Sequence, residues 1–76
     1  MTTTYVATCE RDLVHAAYNP IIEVRGDNAT YAFRIVGEAF FKESNALRSA
    51  DVHIKTLKGS GILPWSLPNQ YEQVQR

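Results

Sequence analysis

Two runs of strand-forming residues flank Gly26-Asp27-Asn28, and this arrangement constrains the fold more than any other feature of the sequence. Glycine reaches positive φ without steric cost, and Asp and Asn bond their own backbone, so the triplet reads as a tight turn. Residues 21–25 before it are rich in Ile and Val. Residues 29–36 after it alternate, with Tyr31, Phe33 and Ile35 on one face and Thr30, Ala32, Arg34 and Val36 on the other. Together they predict an antiparallel hairpin. The Tyr31, Phe33 and Ile35 face is expected to be core, packed against a helix through Phe40 and Leu47.

The remaining elements follow from period and punctuation. Residues 2–9 are rich in Thr, Val and Tyr and predict a first strand. Asp12 can cap a helix start, and Leu13 to Tyr18 predict a short helix that Asn19-Pro20 ends. After Gly37 the period changes, and residues 38–49 predict an amphipathic helix with Phe40 and Leu47 on one stripe. The aromatic pair Phe40-Phe41 leaves open a reading in which the preceding strand continues. Val52 and Ile54 alternate with His53, Lys55 and Leu57, which predicts a strand. The expected fold is α+β: a small antiparallel sheet with one or two helices on one face, in the split βαβ order of ferredoxin-like folds. Residues 1–58 would form this single domain. Gly59-Ser60-Gly61 reads as a spacer, and residues 59–76, with Pro64 and Pro68, as an extended tail.

Composition narrows the function. A chain of 76 residues has a small core and little room for an internal ligand cavity. Eight basic and eight acidic residues give zero formal charge, which disfavours a partner bound mainly through phosphates. The single Cys9 cannot form an internal disulfide, which fits a reducing, cytoplasmic setting. The polar first residues do not read as a signal peptide, and no apolar run reaches the roughly 18 residues of a membrane helix. His15 and His53 lie in different predicted elements with no ligands at metal spacing, so neither metal nor cofactor is expected. Glu38 and Glu43 read as the solvated side of a helix, and Cys9 as an inert strand thiol. Lys58-Gly59-Ser60-Gly61 is followed by Ile62-Leu63-Pro64 rather than a helix, unlike a phosphate loop. Nothing in the sequence assembles an enzyme.

Two surfaces remain as binding candidates. Leu63, Trp65 and Leu67 alternate along the Pro-containing tail, a pattern suited to docking in an apolar groove or on a sheet edge. The same Trp65 could instead fold back and complete the small core, which is the preferred expectation. Separately, Tyr31-Ala32-Phe33 resembles the middle of the RNP1 signature of the RRM family, and Thr4-Tyr5-Val6 resembles its RNP2 position. The resemblance implies a single-strand nucleic-acid binder in which Tyr5, Tyr31 and Phe33 stack on bases. It departs from the family where Ala29-Thr30 replaces the basic-Gly start and where Arg34 replaces an apolar residue. The leading expectation is therefore a non-enzymatic protein-binding module, an inhibitor or adaptor of the kind found among phage and mobile-element accessory proteins. An RRM-like nucleic-acid binder and a structural subunit of a homo-oligomer are the alternatives. The small size leaves room for a homodimer.

Overall fold

The computed structural model describes residues 3–75. It is an α+β fold: a four-stranded antiparallel sheet in the order β1-β2-β3-β4 with one helix packed on one face. β1 spans Thr4–Asp12 and β2 Ala17–Arg25, paired residue for residue from Thr4↔Arg25 to Asp12↔Ala17. β3, Thr30–Ile35, pairs with β2 from Arg25↔Thr30 to Ile21↔Arg34. Gly26 N–H donates to the Ala29 carbonyl at 2.8 Å and closes the expected hairpin turn. The helix α1, Glu43–Ser60, and a 3₁₀ turn, Pro64–Ser66, precede β4, Tyr71–Val74. Among the described residues β4 pairs only with β3, from Ile35↔Tyr71 to Ala32↔Val74.

This order, three strands before the helix and one after it, is not the ferredoxin-like one. Residues 13–16 form a turn, not a helix. The Asp12 carboxylate accepts the Val14 and His15 N–H groups at 3.0 and 3.3 Å and bonds the His15 ring at 2.8 Å, which fixes the turn. Ala16, with φ 49°, completes the reversal in the left-handed region. Pro20 lies inside β2 rather than ending an element. Tyr18 and Phe40 exchange N–H···O=C bonds of 2.7 and 2.9 Å across an isolated bridge, so the even-numbered β2 residues turn their peptide groups away from β1. Pro20 therefore lacks its N–H on the β3 side, where the β2–β3 ladder stops at Ile21↔Arg34. The chain bulges through residues 36–39 before Phe40 rejoins β2.

The helix is displaced and lengthened. Ala46, Ala50, Ile54 and Leu57 are its buried residues, a stripe that runs straight through the segment expected to be a strand. Glu43 in the first turn and Lys58 in the last oppose the helix dipole, and Asp51–Lys55 forms an i,i+4 ion pair at 3.2 Å. Gly59 and Ser60 belong to the last turn, and Gly61 is the left-handed C-cap, its N–H donating to the Leu57 carbonyl at 2.9 Å. The expected tail of residues 59–76 thus supplies the helix end, the 3₁₀ turn and an edge strand, and α1 crosses the expected boundary at residue 58. Ile22, Val24, Phe33, Ile35 and Tyr71 from the sheet form the core with Ala50, Ile54 and Leu57. Phe33 and Ile35 are buried as expected, Tyr31 is 46% exposed, and Phe40 and Leu47 are only half-buried.

Candidate functional site

Directly opposite residues in an antiparallel pair share a face. The register therefore puts Tyr5, Val24, Tyr31, Ile22, Phe33 and Gln73 on the side of the sheet that α1 covers. The helix packs on β1 and β2, and the β3–β4 side of that face receives the 3₁₀ turn instead. Pro64, fully buried, anchors the turn, and Leu67 packs against the core. Trp65 lies between them in sequence, with its ring centroid 6.2 Å from that of Phe33 and tilted by 38°. Tyr31, Phe33, Trp65 and Gln73 line a groove of about 370 Å³. Its floor is the inaccessible Phe33, and Trp65 is 51% exposed.

The structure thus brings together residues that the sequence divided between two surfaces. Tyr31 and Phe33 share one groove with Trp65. Tyr5 lies on the same face two strands away, half-buried against the core. Burial raises the pKa of the Tyr5 phenol above its ordinary value. Leu63 is exposed before the turn and Leu67 packs inward, because Pro64–Ser66 forms a 3₁₀ turn where an extended segment was expected. Phe33 cannot stack on a base without leaving the core, and Tyr5 is half-buried against that core, whereas Tyr31 lines the groove and is 46% exposed.

A second constellation joins Glu38, Ser49, His53 and Tyr71. His53 Nε2 lies 3.0 Å from Glu38 Oε2, and His53 Nδ1 lies 2.8 Å from the Tyr71 hydroxyl. Ser49 donates its hydroxyl to the other Glu38 oxygen. With a neutral ring, Nε2–H donates to the carboxylate and Nδ1 accepts from the phenol. Burial, and then the nearby Glu38 charge, raise the pKa of the Tyr71 phenol. The network ties the loop after β3 to α1 and β4, beside a shallow cleft of about 470 Å³ floored by Phe40, Arg48 and Val52. Both ring nitrogens are engaged, so the imidazole braces α1 against Glu38 and Tyr71. The sequence hid this group because its members are 11 to 18 residues apart from their partners. Only Ser49 and His53, four apart on one helix, could have been paired in advance. Among the described residues, no three His, Cys, Asp or Glu side chains converge as metal ligands. No helix among them is long and apolar enough to cross a membrane. Comparison with known protein families, curated proteins and solved structures finds no match.

Proposed function

We propose that this chain is a small, non-enzymatic protein-binding module of inhibitor or adaptor type, whose Tyr31–Phe33–Trp65 groove takes an apolar side chain from an extended segment of a partner protein. The observation that carries this reading is Trp65 held over Phe33 with half of its surface in solvent. Tryptophan is the residue most enriched in binding hot spots, and a preordered ring loses little entropy on docking. The groove lies beside β4, the edge strand of the sheet among the described residues. Val36 N–H donates to the Gln70 carbonyl at 2.9 Å, so alternate residues Glu72 and Val74 face β3 and Gln73 turns its peptide groups outward. An extended peptide can bond that edge while one of its side chains enters the groove.

Selection of a random-peptide library on the folded protein tests the proposal. Enriched peptides are expected to share an aromatic or large aliphatic residue, to change Trp65 fluorescence, and to bind Trp65→Ala at least tenfold more weakly. Trp65→Ala is expected to remain folded, because the ring is only half-buried. Equal binding to the folded variant, or no enrichment at all, rules the groove out. Single-stranded oligonucleotides are expected not to bind at physiological salt; a tight, salt-sensitive complex would replace the protein partner with a nucleic acid.

A further inference from the structure

β4 offers a partner strand three unlike positions in a row. Gln73 turns its N–H and C=O away from β3, whereas the Tyr71 N–H already donates to the Leu67 carbonyl at 3.0 Å. A strand added to β4 therefore cannot take a second full pair at Tyr71, and Gln73 fixes its register. The residue opposite Gln73 shares the helix side with it and lies at the groove. The two neighbours of that residue fall on the other face of the sheet, one beside Glu72 and one beside Val74. These two positions differ in chemistry. The Glu72 side chain is 61% exposed, and its ion-pair partner Arg34 is 3.9 Å away and bonds Glu10 more closely, at 2.9 Å. Val74 is half-buried opposite Ala32, in a second cleft of about 560 Å³ that shares Tyr31 and Gln73 with the groove.

We infer that the partner segment is a basic one, paired antiparallel with β4. Its apolar anchor lies opposite Gln73, a Lys or Arg immediately C-terminal to the anchor lies opposite Glu72, and an aliphatic residue immediately N-terminal to it lies opposite Val74. This inference rests on the groove reading above and names the class of sequence that the groove takes. Charge complementarity selects the occupant. An exposed carboxylate on an edge strand guards that edge against acidic strands, yet it pairs with a cation directly across the ladder. Glu10 on β1, Arg34 on β3 and Glu72 on β4 already alternate in sign across the sheet, and a cation on the added strand continues the series. The antiparallel direction follows the rest of the sheet and lets one residue exchange both of its bonds with Gln73. β4 thus discriminates among partners by repulsion as well as by attraction.

Synthetic peptides built on an apolar anchor and varied at its two flanking positions test this on the full chain. Lys or Arg C-terminal to the anchor is expected to bind about fivefold more tightly than Asp or Glu at low salt, with the gap closing as salt is raised. Glu72→Lys is expected to reverse that preference while leaving peptides with Ala at the position within about twofold of wild type. Where Glu72→Lys disturbs the edge, Glu72→Gln decides, since it is expected to abolish the preference. N-methylation of the anchor's amide removes its bond to the Gln73 carbonyl and is expected to weaken binding about tenfold. N-methylation of either flanking residue, whose amide faces away from β4, is expected to cost less than about threefold. Peptides that bind through the anchor with no charge preference overturn this inference and leave the groove reading standing. So do a cation preferred on the N-terminal side, a preference that neither Glu72 variant changes, and an anchor amide that tolerates methylation. Failure of every peptide to bind removes the groove reading and this inference with it.

Discussion

On the helix side of the sheet, Ile22 and Val24 of β2 and Phe33 and Ile35 of β3 share one core with the aliphatic stripe of α1; on the other side, Ile21 is equally inaccessible with no helix above it. Ile21 pairs with Thr8 on one side and Arg34 on the other. Arg34 reaches from β3 across β2 to Glu10 on β1, at 2.9 Å, and lies 3.9 Å from Glu72 on β4. Its aliphatic stem crosses the position of Ile21 while its guanidinium stays 2.9 Å from a carboxylate. Ala17 and Ala32 on the same face are small enough to be buried by their neighbours. One face is thus closed by a second layer of secondary structure and the other by a charged strap. Both sides of β2 are thus buried, Ile22 under a helix and Ile21 without one.

The helix side carries most of the stability. Phe33→Ala removes a 2%-exposed ring from between Ile22 and Gln73 and beneath Trp65. It is expected to cost about 3–5 kcal/mol, as large-to-small core changes do. A domain with about 5–15 kcal/mol to lose would then be close to unfolding, which urea denaturation measures. A cost below about 1 kcal/mol would mean that the floor of the groove is not core, and the contrast between the faces would collapse.

The β2–β3 hairpin was legible because its signals are local: a turn triplet and alternation over eight residues. The helix was not, because Val52, Ile54 and Leu57 fit a strand when read alone. The register of Ile54 and Leu57 with Ala50 and Ala46, about one and two turns back, decides for the helix and leaves Val52 exposed. Pro20 looked like a stop because the penalty for proline depends on which side its missing N–H faces, and that is fixed by Phe40, twenty residues on. β4 holds Glu and Gln beside Tyr and Val, and only pairing to β3 makes it a strand. Tyr31, Phe33 and Trp65 were each singled out, yet for different surfaces. The groove they share depends on the turn at Pro64 and on the return of β4, both long-range facts.

The charged strap should be worth less than the helix, and its two parts can be separated. Arg34→Ala uncovers Ile21 and is expected to cost about 1–2 kcal/mol, part of the value of burying an isoleucine. Arg34→Met keeps the apolar stem and discards the charge. Half-exposed ion pairs contribute about 0–1 kcal/mol, so this variant is expected to stay within about 1 kcal/mol of wild type. It also removes the guanidinium Nε, which is buried without a partner among the described residues. Thermal or urea melts of the two variants distinguish the mechanisms. If Arg34→Met is as damaging as Arg34→Ala, the ions close this face and the aliphatic stem does not.

The smallest effect belongs at Tyr71, where the helix side is closed by a hydrogen bond as well as by packing. Its ring is 4% exposed and stands edge-on to His53 at a centroid distance of 5.7 Å, with the phenol bonded to His53 Nδ1. Tyr71→Phe keeps the ring and loses the bond, so the expected cost near neutral pH is about 0.5–1 kcal/mol. The pH dependence identifies the cause. Burial and the Glu38 charge raise the folded-state pKa of Tyr71, and burial raises that of Tyr5. Each phenol's contribution is fully present below the unfolded value of about 10 and is lost as pH rises through the higher folded value. Wild-type stability should therefore fall above about pH 10, and Tyr71→Phe should fall less steeply there, so the two curves converge. Parallel curves would mean that Tyr71 ionises alike in the folded and unfolded chains. The Glu38–His53–Tyr71 contact would then contribute nothing to closing this edge of the helix face.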